Sequence, residues 1–283
     1  MSSLSRRSAC LGLIGWMAAL RSAQAQAQAA PLELGVLPNI SARVLLTQYQ
    51  PLRTYLAREL QRPVQVSTAP DWTTFHKRTA SLDYDIVVTA AHVARLEQIE
   101  NRYLPLLAVS PNIKGLVVCT KAKPLAGIGE LRGQTLVLSN PQSLVTFRGM
   151  QWLAENKLEP GTDFKTINTP TDDSVGNVVV RGDAVAAMLS GGEFRTIPEA
   201  LRDQLQIVAT FAEVPGFIVL ASPRLAPADA QAIKDKLVRF AAGSDEGKSF
   251  FQLTGFTALR EPEPGLMEGM DAYLAQTRRA LAG

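Results

Sequence analysis

The sequence predicts an α/β protein of two lobes, each a mainly parallel sheet flanked by helices. Three observations carry that expectation. Short β-rich runs alternate with amphipathic stretches along most of the chain, which is the βαβ pattern. The pattern occurs twice, before and after a Lys/Pro/Gly-rich segment at residues 121–133. A second turn-forming segment, Glu213-Val214-Pro215-Gly216, leads into a last strand and a mostly helical C-terminal third. The later unit is therefore expected to be inserted in the earlier one and joined to it twice. Lobe one is assigned residues 31–124 and 214–283, and lobe two residues 125–213.

The elements follow in order. Residues 32–37 read as a strand. Residues 42–61 carry Val44, Leu45, Tyr49, Leu52, Leu56 and Leu60 at helical spacing. Pro51 lies inside that window and predicts a kink or a break. Residues 64–68 are a second strand, and Asp71 is a good N-cap for a helix to about residue 81. A strand at 85–89, a helix at 91–100 and strands at 104–109 and 116–120 complete the first unit. The second unit has strands at 135–139, 165–168, 185–189 and 206–211, with helices at 144–156 and 172–181. A strand at 217–222 returns to lobe one, followed by helices at 226–242, 245–253 and 265–281.

Two α/β units connected twice form a hinge, and open α/β sheets bind ligands beyond the carboxyl ends of their strands. A cleft between two such sheets closes by rotation about the connections. The organisation suits a binding protein without excluding an enzyme.

Residues 1–29 are set apart from the fold. Arg6 and Arg7 precede a twelve-residue apolar run at 9–20, and an Ala/Gln ladder at 23–30 offers several A-x-A sites. This is the three-part pattern of a cleaved secretory signal, with cleavage expected between Ala25 and Ala30. Twelve residues of helix span only ~18 Å, short of the ~30 Å hydrocarbon core. The arginine pair also permits the twin-arginine route. The chain has 29 basic and 26 acidic residues; without Arg6, Arg7 and Arg21 the basic count falls to 26, and the charge is balanced. Such balance gives no support for nucleic-acid binding. Of the two cysteines only Cys119 lies beyond the signal, so no internal disulfide is expected. A monomer of 283 residues is long enough for well-buried cores without staples.

Enzyme motifs are thin. Gly127, Gly129 and Gly133 miss the dinucleotide spacing and precede a strand. There is no Walker A motif, no G-x-S-x-G and no paired-Cys metal motif, and the only histidines are His76 and His92. No cofactor and no metal are expected.

Several short motifs occur in a telling order. They are Gly35-Val36-Leu37-Pro38, Tyr49-Gln50-Pro51-Leu52, Ala69-Pro70-Asp71-Trp72, Tyr84-Asp85-Ile86-Val87 and Thr89-Ala90-Ala91-His92. Leu131-Arg132-Gly133-Gln134-Thr135, Asn140-Pro141-Gln142-Ser143 and Gly182-Asp183-Ala184 follow in the second unit. Together they resemble the phosphate/phosphite/phosphonate-binding family of periplasmic proteins. The resemblance implies a type II periplasmic-binding fold, a periplasmic location, and delivery of a small anion to an ABC permease in the inner membrane. A ligand-sensing receptor for a membrane sensor kinase, or an enzyme on the same fold, are the alternatives. The family's run of small hydroxyl residues after an aspartate-proline reads here Ser143-Leu144-Val145-Thr146, with Asn140 in the aspartate's place. Where phosphonate binders carry a histidine, this chain has Thr171-Asp172-Asp173.

The candidate ligand-binding residues follow. Ser143 and Thr146 lie at a helix N-terminus, where free N–H groups attract anions; the competing role is an N-cap. Trp72 stands where relatives place an aromatic residue lining the cleft, against a core role. Thr89 and His92 follow a strand's carboxyl end, although a lone histidine is more often structural. Thr171 and Asp172 begin a helix on the cleft side, with capping as the competing role. Arg43 follows the first strand and suits an oxyanion, unless it lies on a solvated helix face. Ser190-Gly191-Gly192-Glu193 follows another strand end, where the glycines let backbone approach a ligand.

Overall fold

The computed structural model describes residues 30–169 and 174–282. The signal segment and the Thr171/Asp172 pair lie outside the described residues.

The first sheet is built from β1 (Leu32–Val36), β2 (Val64–Ser67), β3 (Ile86–Ala90) and β4 (Leu104–Ser110), with the late strands β10 (Phe217–Ala221) and β11 (Ala258–Arg260). Its order is β11-β4-β10-β3-β1-β2. Strands β2, β1 and β3 are parallel, and β10 runs antiparallel between β3 and β4. The second sheet contains β5 (Ile113–Thr120), β6 (Thr135–Leu138), β7 (Lys165–Asn168), β8 (Ala186–Ser190) and β9 (Leu205–Val214), in the order β7-β6-β8-β5-β9. Here β7, β6 and β8 are parallel, while β5 runs antiparallel to both its neighbours.

Both sheets are thus mixed; the antiparallel strands β5 and β10 enter from the other lobe, and the short edge strand β11 also runs antiparallel to β4. A strand arriving from another lobe needs no right-handed βαβ crossover, so nothing imposes the parallel direction on it. The strand order also moves the first connection. The expectation placed it at residues 121–133 and kept residues 116–120 in lobe one. Strand β5 belongs to the second sheet, so the chain crosses at Pro111–Asn112, between β4 and β5. The return crossing at Pro215–Gly216, between β9 and β10, is where the turn residues placed it. Gly216 is required there, because a side-chain carbon would collide with the Val109 carbonyl oxygen of the neighbouring crossing.

The helices cover both faces of each sheet. They are α1 (Ala42–Glu59), α2 (Trp72–Ala80), α3 (Ala91–Glu100), α4 (Leu144–Glu155), α5 (Val175–Arg181), α6 (Gly191–Thr196), α7 (Glu199–Arg202), α8 (Pro227–Gly243), α9 (Asp245–Thr254), α10 (Leu266–Gly269) and α11 (Leu274–Leu281). Helix α1 runs through Pro51 without interruption. Leu45 and Tyr49 before the proline and Leu52, Tyr55 and Leu56 after it are all buried, so packing on both sides outweighs one lost hydrogen bond. The single helix expected at 265–281 is instead α10, a 3-10 turn at Met270–Tyr273 and α11; Gly269 disfavours a continuous helix at that junction.

Alternation along the central strands explains why they are apolar throughout. Leu34, Val36, Ile86 and Val88 face one core, whereas Leu37, Val87, Ile218 and Leu220 face the other. A sheet covered on both sides reads as a continuous apolar run. The second of these cores also takes in Leu144, Val145 and Phe147 from the start of α4. The second lobe therefore packs directly on the first through that helix.

Helices α2 and α3 are tied by a buried polar pair. His76 Nδ1 lies 2.6 Å from Glu97 Oε1, and Asn101 Nδ2 donates to the other Glu97 oxygen at 2.7 Å. The Glu97 side chain is fully buried. Its hydrogen bond is the largest influence on His76 and holds the imidazole pKa above its ordinary value, against the opposing effect of burial. A raised folded pKa stabilises fully below the unfolded value of about 6.5, and the gain disappears as pH rises through the folded pKa. Urea unfolding should therefore show stability falling from pH 6 towards pH 9 in the native chain, with this part of the slope absent in His76→Gln. An identical pH slope in the two proteins would remove His76 from the account.

Candidate functional site

Between the lobes lies a cavity of about 360 Å³, bounded by both crossings and by the carboxyl ends of strands from both sheets. Ala90 and Ala91, where β3 gives way to α3, form part of the wall. So do Ser143, Leu144 and Val145 at the start of α4, and Ser190 to Glu193, Arg195 and Thr196 at and along α6. Three helix N-termini thus approach one space, which is the placement expected for ligand groups in open α/β sheets.

Of the candidates read from the sequence, Trp72, Ser143 and the Ser190-Gly191-Gly192-Glu193 turn reach this wall. Trp72 is only 4% exposed. Its indole nitrogen donates to the Pro38 carbonyl at 3.1 Å, fixing the ring against the floor of the cleft. Core and lining roles coincide in this residue. Ser143 is the N-cap of α4 and accepts from the Thr146 N–H at 3.1 Å. Its own proton is directed to the Asn140 carbonyl or to Thr146 Oγ1, each 3.1 Å away. Thr146 is buried behind it and donates to the same Asn140 carbonyl at 2.6 Å. The two hydroxyls are thus engaged in ending the loop and starting the helix. The capping role accounts for both.

Thr89 and His92 fall behind the wall. The strand end was located correctly, but at the β3–α3 corner Ala90 and Ala91 face the cavity while Thr89 and His92 turn into the core. Both are fully buried. His92 Nε2 lies 3.0 Å from the Gln142 carbonyl oxygen, which only accepts, so the ring carries its proton on Nε2. Burial pulls the His92 pKa down to about 4, so the ring is neutral at ordinary pH. It stands edge-on to Phe147 at 5.4 Å and tilted to Trp72 at 6.1 Å. His92 therefore joins the lobes, because Gln142 and Phe147 belong to the second and Trp72 to the first. Gln142 adds two further bonds across the boundary, from Nε2 to Thr73 Oγ1 at 3.0 Å and to the Ala280 carbonyl at 2.7 Å. Arg43 is exposed on the first turn of α1 and does not line the cavity, as its helix-face role required.

The wall also holds groups that were not singled out as candidates. Lys114 on β5 and Arg195 on α6 both line it, and neither has an ion pair among the described residues. Gly191 packs against the Lys114 stem, 3.7 Å from where its own Cβ would stand. Arg195 follows Gly191 by one helical turn, so both cationic stems lie beside the same face of α6. Arg195 also spans the cleft. Its Nη2 donates to the Thr254 carbonyl at 3.3 Å, and its guanidinium lies over Gly255. Gly255, at φ +74°, is the left-handed cap that ends α9. A cation placed at a helix C-terminus is favoured by the helix dipole.

Two carboxylates complete the wall, Glu193 from the turn read as a candidate in the sequence and Glu213, which was not so read. Glu193 is 6% exposed and turned back on its own helix, accepting from the Ser190 N–H at 2.5 Å and from Ser139 Oγ at 3.0 Å. Together with the Ser190 hydroxyl it makes a capping box. Glu213 sits directly opposite Lys114 in the β5–β9 pairing and is exposed. Sequence order hid these partners: Lys114 lies in the segment assigned to the wrong lobe, and Arg195 lies just past the glycine pair already noted. Among the described residues no group of three or more His, Cys, Asp or Glu side chains is placed to hold a metal ion.

The fold is shared with known proteins. PhnD1 from Prochlorococcus marinus, solved in complex with methylphosphonate, superposes with a TM-score of 0.76 at 13% identity, covering 89% of this chain and 98% of that one. The binding-protein component of an ABC phosphonate transporter from Pseudomonas aeruginosa gives 0.73 at 13% identity, covering 89% of each chain. A Xanthomonas citri protein bound to chloride ion gives 0.71 at 20% identity, covering 88% of this chain and 98% of that one. Among curated protein sequences none matches the chain. The family model for the periplasmic substrate-binding protein of the phosphonate ABC transporter matches residues 34–264, most of both lobes and both crossings. This chain belongs to that family of periplasmic substrate-binding proteins.

Proposed function

We propose that this binding protein captures a small anion between its lobes and delivers it, as a monomer, to an ABC permease of the inner membrane. The observation that carries this reading is the pair Lys114 and Arg195, two cations in the wall without carboxylate partners among the described residues. Both are exposed and solvated in this structure, so they can accept an anion without first breaking an internal ion pair, and the attraction grows as closing lobes exclude water. The start of α4, a twelve-residue helix, adds backbone N–H groups and the positive end of its dipole. Capture without chemical change fits a cavity whose buried polar groups are occupied in capping and in holding the lobes together.

The Pro111–Asn112 and Pro215–Gly216 crossings serve as the hinge. Residues 1–29 direct export, and N-terminal sequencing of the exported protein should begin between Ala25 and Ala30. An intact Met1 would oppose that assignment.

A thermal-shift panel of phosphate, phosphite, phosphonates, sulfonates, carboxylates and amino acids tests the capture itself. A ligand at one hundred times its Kd adds about 2.7 kcal/mol. For a chain of this size that is a rise in Tm on the order of 5–10 °C. The rise should be seen with at least one class of anion and should shrink in Lys114→Met. Stabilisation by a neutral sugar or a cation, with none by any anion, would overturn the proposal.

A further inference from the structure

We infer that the solute is an organic monocarboxylate with an apolar body, not a tetrahedral oxyanion; this rests on the proposal that an anion occupies the inter-lobe cavity. Three features point the same way. The first is the start of α4, where a tetrahedral oxyanion would need several converging O–H donors. The Thr146 proton is instead directed to the Asn140 carbonyl, and the Ser143 proton to that carbonyl or to Thr146 Oγ1. Beside the capping Ser143, the residues that line the cavity from this turn are the apolar Leu144 and Val145.

The second feature is the composition and size of the wall. It is predominantly apolar, with Ile40, Trp72, Phe217 and Phe256 of the first lobe set against Leu144 and Val145 of the second. A volume of about 360 Å³ is at the lower end of the ~300–1,000 Å³ typical of small-molecule sites. It corresponds to about a dozen groups the size of a water molecule, at ~30 Å³ each. An inorganic anion would leave most of that apolar surface uncovered, whereas a ring or short aliphatic chain would cover it.

The third is charge. Lys114 and Arg195 share the wall with Glu213, while Glu193 is turned back into its capping box, so the side chains free to face the ligand carry about one net positive charge. A monoanion matches that charge, whereas a dianion exceeds it and also meets Glu213. A single carboxylate fits the planar fork of one guanidinium and leaves its apolar end for the aromatic side.

The test pairs head groups with bodies in calorimetric titrations of the signal-free chain. Benzoate, phenylacetate and 3-phenylpropionate supply the carboxylate with a body. Phenylphosphonate and benzenesulfonate keep the body and change the head, acetate keeps the head alone, and methylphosphonate and phosphate keep neither. The tightest aryl carboxylate should bind at least about tenfold more tightly than any of these others, a difference of about 1.4 kcal/mol. Lys114→Met should weaken it by a similar factor, and Leu144→Ser should weaken it while leaving acetate unchanged. Methylphosphonate, phosphate or phenylphosphonate binding more tightly than every carboxylate, and still depending on Lys114, would overturn the monocarboxylate and leave the anion cleft standing. No saturable binding across the panel, or binding indifferent to Lys114→Met in protein with native circular dichroism, would overturn both.

Discussion

Trp72→Ala is expected to cost about 3–5 kcal/mol of stability, the range for truncating a buried aromatic side chain. The corresponding fall in Tm is roughly 10 °C for a protein of this length. The ring is 4% exposed and packs with Leu37, Ala91 and the start of α4 in the core that spans both lobes. Its loss would leave His92 and Phe147 facing a void, with little scope for collapse because Gln142 holds the lobe boundary through three hydrogen bonds. Trp72→Phe separates the parts of this effect. It keeps most of the apolar area and loses the bond to the Pro38 carbonyl, so about 1 kcal/mol should disappear. Urea denaturation of the three proteins measures both quantities. A cost below about 1 kcal/mol for Trp72→Ala would mean that the ring is not part of the inter-lobe core.

The parts of this molecule that were legible in the sequence are those fixed locally. Asp71 and Ser143 act as N-caps, accepting from Thr74 N at 2.7 Å and Thr146 N at 3.1 Å, because a cap depends on only a few successive residues. The strand–helix alternation was legible because burial on both faces leaves runs such as Ile86-Val87-Val88. The sheet joined by β5 was not, since Leu116 to Cys119 are buried on both faces and would be so in either lobe. The same limit affected the site. A strand's carboxyl end could be found, but at the corner after β3 two alanines face the cavity and the polar Thr89 and His92 face away. Serine at a helix start has the same signature whether its proton goes to a ligand or back to Asn140. Lys114 and Arg195 are 81 positions apart in the chain and share a wall only after β5 pairs with β8 and places Lys114 next to Gly191.

Arg195→Ala is expected to weaken binding of the best-bound anion about 10- to 100-fold, from a charge-assisted hydrogen bond worth roughly 1.5–3 kcal/mol. The effect has two sources that can be separated. One is the positive charge offered to the ligand. The other is the tie between lobes, in which the guanidinium ends α9 by donating to Thr254 and lying over Gly255. Arg195→Lys keeps the charge and loses the planar fork, so it should recover part of the affinity but not all. Gly255→Ala does the reverse. A Cβ there would stand 2.6 Å from Arg195 Nη2, on backbone at φ +74° that disfavours any other residue, so the lobe contact is disturbed with both cations intact. Titration calorimetry gives the affinities, and X-ray scattering with and without ligand gives the compaction. If the charge dominates, Arg195→Ala loses affinity while Gly255→Ala keeps it within about threefold. If the tie dominates, both variants lose affinity and both show less compaction at saturating ligand. Unchanged affinity in Arg195→Ala would leave Lys114 as the sole cation acting on the ligand and would remove Arg195 from the site.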